Sequence, residues 1–442
     1  MNDTSTILND FFDSFSPSLS GNLRENRLER MNFLLKEIGN PERNIKMIHI
    51  AGSKGKGTTA SFMSWVMNKK GLKTGLYLSP HVYDIRERFT LGTSFFSESL
   101  YLSTLKKLKE RIKDFSLPKE LGPEKPTTFE LYTAYAYLLF KSAGCEYAVI
   151  ETGLGGRLDA TNTIDPIANC FTYIEKEHTK ILGSTLEEIA KEKAGIMRKD
   201  VPSFIMNMPL EALNTLKKES ETIGSKVEEF PLSFEDIPYK NDILTLYGDN
   251  TPIKIYSPSG LTDVEIYDFS FALYVLFKTG VCKFESNETF DLSQCFSLPG
   301  RFQSQRVSRG NKSITFIFDG AHTISSIEHL MRNIDNYGFS PLSTLIFSTA
   351  IDKNYKEMAD ILVPSFDNII ITGLGESKKS DPKAIYEYIS NKWKDKSVTL
   401  SPTASDAAEK TLKTTLNDDN VIVTGSFYLV DLIHNALDNL ES

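Results

Sequence analysis

Cysteine is scarce in this chain, and its four copies, Cys145, Cys170, Cys282 and Cys295, include no C-x-x-C pair. That scatter suggests neither a zinc site nor a disulfide framework. An excess of basic charge is missing too: 58 acidic against 50 basic residues leave a net charge of -8. Binders of nucleic acid or of membrane surfaces carry basic patches, so neither class is expected. Long apolar runs are also absent. The longest, 131–140, is about half a membrane span, and the N-terminus is polar and acidic rather than leader-like. Together these absences predict a reduced, cytoplasmic protein. What is present, 40% hydrophobic and 24% charged residues, is globular in character, and 442 residues exceed one ordinary core. Two domains are expected.

The most informative stretch is Gly52-Ser53-Lys54-Gly55-Lys56-Gly57-Thr58. It follows an apolar run at 45–51 that reads as a buried strand, and it opens a helix. Glycines let the backbone curl so that N–H groups can face one anion. The helix adds the positive end of its dipole, Lys56 a point charge and Thr58 a hydroxyl for magnesium. The pattern predicts a nucleoside triphosphate site. A GTPase-type switch would also need an Asn-Lys-x-Asp motif, and Ala350-Ile351-Asp352-Lys353-Asn354 is not one.

Along the chain, a polar tail to about Ser20 is expected to lead into a helix whose apolar face is Leu28, Met31, Phe33, Leu34, Leu35 and Ile38, stopped by Gly39-Asn40-Pro41. A strand at 75–78 delivers Ser79-Pro80-His81, and 84–90 reads as a surface loop. A helix at 130–142 precedes a strand at 147–150. Alternating strands and helices mean a parallel sheet with helices on both faces. The stretch 201–251 yields no motif. A Pro-Gly turn at Leu298-Pro299-Gly300-Arg301 marks the domain boundary, and alternation resumes beyond it.

Glu151 ends its strand and opens Gly153-Leu154-Gly155-Gly156-Arg157-Leu158-Asp159-Ala160-Thr161-Asn162. In an open parallel sheet, ligands sit beyond the carboxyl ends of strands. An acid there is placed to bind magnesium directly or through water; its alternative is a surface Glu opening a turn. His178 also follows an apolar strand, as a metal ligand or a solvated side chain. Ser184-x-x-Glu187 reads as a capping box, and Lys193 lies on the helix that follows, by itself an ordinary solvated lysine.

These motifs, with Gly39-Asn40-Pro41, Leu78-Ser79-Pro80-His81, Asp319-Gly320-Ala321-His322 and the segment 424–430, resemble the folylpolyglutamate synthase/dihydrofolate synthase family. That family belongs to the Mur-ligase superfamily of ATP-dependent amide-forming enzymes. The match runs in order over nearly the whole chain. It implies an α/β fold: a doubly wound, mostly parallel P-loop domain over 1–297 and a smaller Rossmann-like domain over 298–442. It implies an ADP-forming ligase that adds L-glutamate to a folate or to dihydropteroate through an acyl phosphate, with ATP and one or two Mg2+ ions, acting as a monomer.

By the same resemblance, Gly52, Ser53, Lys54, Gly55, Lys56, Gly57 and Thr58 hold the phosphates. Asp268, Arg301, Asp319 and His322 complete the nucleotide site, and Arg301 acts on the transferring phosphoryl group. Thr58, Ser79 and Glu151 look like ligands of the ion on the phosphates, with Glu151 and His178 serving a second. Lys193 resembles a lysine carboxylated by carbon dioxide. The pterin pocket would involve Thr127, Thr128, Phe129, Glu130, Leu158, Asp159 and Ala160. Four positions depart from the pattern: Lys54 stands for Asn, Glu177 for Asp, Thr323 for Asn, and Glu265-x-x-Asp268 for Gln-x-x-Asn. A carboxylate at 268 cannot donate an amide's hydrogen bonds. A Mur-type ligase of another substrate and a non-catalytic ATP-binding relative are the rival readings.

Overall fold

The computed structural model describes residues 3–16, 21–233, 243–248, 251–256, 262–292, 298–309, 312–339, 342–375 and 378–441. Cys295, the end of the expected polar tail at 17–20 and the segment just before Leu298 lie outside the described residues. The chain divides into two compact units, Met1–Cys295 and Phe296–Ser442.

In the first unit eight strands form one sheet: β1 (Lys46–Ala51), β2 (Thr74–Tyr77), β3 (Phe89–Leu91), β4 (Ser94–Phe95), β5 (Tyr147–Glu151), β6 (Pro166–Phe171), β7 (Pro202–Ile205) and β8 (Lys226–Glu229). Their spatial order is β4-β3-β2-β5-β1-β6-β7-β8. Only β3 and β4 run antiparallel to their neighbours. A parallel sheet is covered on both faces, so its strands are apolar throughout, and β1 and β5 are buried at every position but the first.

The helices of this unit are α1 (Thr4–Phe12), α2 (Arg27–Glu37), α3 (Lys56–Lys69), α4 (Glu98–Ile112), α5 (Thr128–Ala143), α6 (Thr179–Leu182), α7 (Leu186–Ala194), α8 (Leu210–Ile223) and α9 (Asp263–Lys278). Leu8, Met31, Leu105 and Tyr135 of α1, α2, α4 and α5 close over Met47, Tyr77, Ala148 and Ile150 of the strands. Ile189 of α7 and Leu216 of α8 pack with Ala51, Phe171 and Ile205. Helix α3 meets α9 through Phe62 and Phe269, ring centroids 5.1 Å apart. A small sheet of β9 (Ile243–Gly248), β10 (Thr251–Tyr256) and β11 (Glu288–Asp291) adds Phe290 to that contact.

Several stretches carry more structure than their sequence suggested. The supposed tail holds α1, whose Leu8 and Phe12 are fully buried. A short amphipathic helix with so few apolar residues shows itself only once a core exists to receive it. The expected surface loop at 84–90 is a 3-10 turn, Ile85–Arg88, capped by Asp84 and running into β3, with Ile85 and Phe89 fully buried. The motif-free stretch 201–251 contains β7, α8 and β8. The capping box ahead of Lys193 sits one residue later, with Thr185 and Glu188 as its members.

The second unit has a six-stranded sheet: β12 (Gln303–Arg309), β13 (Lys312–Asp319), β14 (Leu342–Phe347), β15 (Asn368–Ile371), β16 (Ser397–Leu400) and β17 (Asn420–Thr424), in the order β12-β13-β17-β14-β15-β16. All are parallel except the edge strand β12, which pairs antiparallel with β13. Strand β12 escapes periodicity because Gln-Ser-Gln-Arg-Val-Ser-Arg has one apolar residue. The helices are α10 (Ile324–Tyr337), α11 (Tyr355–Leu362), α12 (Pro382–Lys392), α13 (Ala404–Thr414) and α14 (Phe427–Glu441). Ile317 joins Leu330, Met358 and Ile385 on one face of the sheet. Its neighbour Phe318 faces His434 of α14, with ring centroids 5.8 Å apart, so helices cover both faces. Among the described residues no helix is long and apolar enough to cross a membrane.

Candidate active site

Strands β2, β5, β1 and β6 are adjacent and parallel. The segments leaving their carboxyl ends therefore lie side by side along one edge of the sheet. Ser79-Pro80-His81 follows β2, Glu151 ends β5, the Gly-rich loop follows β1, and the segment 172–178 follows β6.

The loop behaves as a strand-to-helix turn, with one change from expectation. The N–H groups of Ser53 and Lys54 do not face an anion; they donate to the Tyr173 carbonyl at 2.8 and 3.1 Å. They anchor the loop to the segment after β6. Donors for an anion come instead from the first turn of α3, whose N-terminus no side chain caps. Gly55 supplies the required backbone with φ of 79°, and a Cβ there would lie 2.6 Å from Asp268 Oδ1. Asp268 of α9, almost fully buried, thus lies directly against the loop. Lys56 Nζ donates to Ser53 O at 3.3 Å.

Glu151 is 4% exposed and accepts the Ser79 N–H at 2.8 Å. Its carboxylate oxygens also lie within 3.6 Å of where a Gly57 Cβ would be. The structure therefore gathers Glu151, Ser79 and the first turn of α3, which carries Thr58. Among the described residues no group of three or more His, Cys, Asp and Glu side chains is arranged to hold a metal ion. His178 is exposed and caps the short helix α6 in the left-handed region, φ 45°.

Lys193 is not solvated. It is 1% exposed, and its Nζ donates to Gly52 O at 2.6 Å and to Glu177 Oε1 at 2.9 Å. Burial lowers its pKa to about 8, against the opposing pull of Glu177. Burial by itself would raise the Glu177 carboxyl, yet Lys56 and Lys193 hold it down at about 2. Both members of the pair are charged near neutral pH.

Helix α7 is fitted to the Gly-rich stretch after Glu151. Arg157 N donates to Glu192 O at 2.7 Å, and Asn162 Nδ2 donates to Arg157 O and Gly195 O at 3.0 and 2.9 Å. The Asp159 carboxylate accepts from Leu154 N, Thr161 N and Thr161 Oγ1 at 2.8, 3.0 and 2.6 Å. Leu158, Asp159 and Ala160 are all buried. At the start of α5, Thr127 caps the helix, Thr128 Oγ1 bonds the carbonyls of Phe12 and Phe15, and Glu130 pairs with Arg30 at 2.9 Å. Phe129 is half-buried and abuts Gly153, where a Cβ would lie 2.3 Å from its ring. Phe129 thus lies against the start of the Gly-rich stretch that also carries Leu158, Asp159 and Ala160.

In the second unit, Arg301 and His322 lie beside Phe427. The Arg301 guanidinium lies 5.0 Å from the Phe427 ring centre, and His322 is 6.2 Å from it. Asp319 accepts from Phe302 N and Ala321 N at 2.9 and 2.8 Å. The His322 Nδ1 lies 2.8 Å from Gly320 O. A carbonyl only accepts, so Nδ1 carries a proton. Strands β13 and β17 are parallel neighbours, with Asp319 opposite Thr424, which is why these residues meet.

Sequence reasoning gave no site role to Glu175, Glu177 or the Tyr173 carbonyl. Two acids at alternate positions just after a buried strand that borders the loop were the available signal.

This architecture, a P-loop sheet followed by a second doubly wound unit, is that of a Mur-type ligase. Residues 50–267 match the Mur ligase middle domain, and 300–427 match the Mur ligase glutamate ligase domain. A probable dihydrofolate synthetase of Schizosaccharomyces pombe is 30% identical over 93% of this chain and 98% of its own length. A probable bifunctional folylpolyglutamate synthase/dihydropteroate synthase of Haloferax volcanii is 26% identical over 91% of this chain, which spans 47% of that protein. The Mycobacterium tuberculosis folylpolyglutamate synthase, solved with ADP and AMPPCP, shares the fold with a TM-score of 0.79 at 22% identity, covering 98% of both chains. The chain belongs to the folylpolyglutamate synthase/dihydrofolate synthase family.

Proposed function

We propose that this chain is an ATP-dependent, ADP-forming ligase joining L-glutamate to the carboxylate of a folate or of dihydropteroate. The observation that carries the reading is the convergence at one sheet edge of an uncapped helix N-terminus with Lys56, Thr58, Ser79 and Glu151. Such a set suits a polyphosphate with magnesium: backbone donors and an ammonium for the phosphates, hydroxyls and a carboxylate for the ion. When bound, Mg2+ supplies charge neutralisation on the phosphoryl oxygens. Thr58, Ser79 and Glu151 would hold it, and His178 with Glu151 would serve a second ion.

A substrate carboxylate oxygen attacks the γ-phosphorus, and the bond to ADP breaks, leaving an acyl phosphate. The glutamate amine then attacks the acyl carbon, loses a proton and expels phosphate. Lys56 and the first turn of α3 hold the phosphates through both steps. Arg301, Asp319, His322 and Asp268 are assigned to the nucleotide on the family's order of motifs. Thr128, Glu130 and Asp159 have polar groups engaged within the chain, so they shape the pterin pocket, and the Phe129 ring offers it a stacking face.

Carboxylation of Lys193 carries a condition. The ammonium now meets two acceptors, Gly52 O and Glu177. A carbamate would put an anion before them, so it stands only with a cation between. Modification and second metal ion are one proposal, and the lowered pKa of Lys193 favours the neutral amine that reacts with carbon dioxide.

ADP release assayed with pteroate or tetrahydrofolate tests the reading. Release is expected only when the pterin acid and glutamate are both present, and Lys56→Ala is expected to abolish it with the fold intact. No glutamate-dependent release with any pterin acid would overturn the assignment.

A further inference from the structure

The two lysines of the loop have different partners. Lys56 stays on its own turn, whereas Lys54 Nζ is ion-paired with Glu175 Oε1 at 3.4 Å. Their side chains are 29% and 16% exposed, so the pair is largely withdrawn from water. The backbones around it are tied together: Ser53 N and Lys54 N donate to Tyr173 O, and Ser53 Oγ donates to Glu175 O at 3.1 Å. Glu175 therefore cannot drift from the loop as a whole. With the backbones held, any exchange of partners is confined to the two side chains.

Charge explains why such a pair would exist. Burial lowers the Lys54 pKa, Glu175 and Glu177 oppose that, and Lys56 adds to it, so the two loop ammoniums feel each other. Glu175, paired with Lys54, offsets that repulsion. A polyphosphate at the start of α3 brings several negative charges beside the same lysines, and an ammonium is attracted to the larger opposing charge.

We propose that Lys54 and Glu175 form an exchange pair, in which Glu175 holds the Lys54 ammonium while the loop is empty and yields it to the polyphosphate of a bound nucleotide. Glu175 is then a built-in competitor that sets nucleotide affinity, and Lys54 is a second phosphate-neutralising cation. The inference rests on the nucleotide reading of the loop, and it belongs to this chain's own residue at 54, where the family pattern has Asn.

The test is calorimetric titration of the full chain with MgATP. Glu175→Gln keeps the side chain's shape and removes its charge, and it is expected to tighten ATP binding roughly three- to tenfold, the scale of one partly buried ion pair. Lys54→Asn is expected to weaken binding by a similar factor. Because Glu175 acts through Lys54, the double variant should bind like Lys54→Asn alone. Unchanged or weaker binding by Glu175→Gln, or tightening that persists without Lys54, overturns the exchange pair. Lys56→Ala separates the two levels: if it too leaves ATP binding unchanged, the nucleotide site itself is wrong. If it abolishes binding while Glu175→Gln has no effect, the exchange pair alone fails.

Discussion

Lys193 of α7 donates at 2.6 Å to the carbonyl of Gly52, the residue that opens the phosphate loop, across 141 positions of sequence. The same ammonium holds Glu177 at 2.9 Å, so one buried side chain ties the ends of β1 and β6 to the helix that packs on the Gly-rich stretch. Loop, acid and helix are positioned together.

Lys193→Ala is expected to lose nearly all ligase activity, and added short-chain carboxylic acids to restore part of it. Because a carbamate needs a cation before Glu177, a 13C carbamate resonance from labelled carbon dioxide should appear only with Mg2+ and nucleotide present. A signal that is independent of metal, or full activity in Lys193→Ala, would count against the role.

Arg30 and Glu130 form a buried, two-pronged pair, and Arg30 also donates to the carbonyls of Pro123 and Lys125 at 2.7 and 2.9 Å. Removing one partner leaves an uncompensated charge. Arg30→Ala should cost about 3–5 kcal/mol in the unfolding of the first unit, while Arg30→Met combined with Glu130→Gln should recover part of it. Chemical denaturation followed by tryptophan fluorescence measures both. Equal losses in single and double variants would show that packing alone is at stake.

A Cβ on Gly195 would lie 2.4 Å from Arg157 Cα, and one on Gly156 would lie 2.7 Å from Lys193 O. Both clashes are with backbone, which cannot turn away. Gly195→Ala should destabilise the fold by about 1–3 kcal/mol and, by displacing α7, lower activity beyond what stability explains. Thermal denaturation and turnover at a temperature where the variant stays folded separate the two effects. Wild-type turnover there would mean that α7 can shift without harm.

His49 is fully buried in β1, with Nε2 2.8 Å from Thr161 Oγ1. The Thr161 hydroxyl proton goes to Asp159 Oδ1, so Nε2 must donate and Nδ1 is bare. Burial, helped by Arg198, lowers the His49 pKa from 6.5 to about 3. The unfolded chain therefore binds a proton between those values that the folded chain does not. Stability from this residue is full above about pH 6.5 and falls as pH drops toward 3, by about 1.4 kcal/mol per unit. His49→Gln should remove about one proton from the slope of stability against pH between 4 and 6. An unchanged slope would place the titration elsewhere.

The local features of this protein were legible because their causes are local. The apolar strand, the glycines at 52, 55 and 57 and the helix from Lys56 make a strand-loop-helix whatever surrounds them. The alternation that gave two α/β domains is likewise a matter of neighbouring residues, as is the order of motifs that carries the family resemblance. Even so, the turn around Ser53 and Lys54 was read with too many free donors, since the Tyr173 carbonyl that takes two of them comes from another strand.

Sequence alone determined that a phosphate loop exists, which strands flank it and which acids end them. Only tertiary structure decided that Lys193 is a buried ammonium rather than a solvated one, that Glu175 faces Lys54, and that Asp268 lies against Gly55. It also decided that α1 is a helix, because Leu8 and Phe12 gain their burial from α4, α5 and the sheet. The physical reason is the same each time. A charge survives out of water only beside a partner, and a short amphipathic segment folds only against a surface. Around the loop the pairs Lys54–Glu175, Gly52–Lys193 and Gly55–Asp268 lie 121, 141 and 213 positions apart, a separation that no periodicity records.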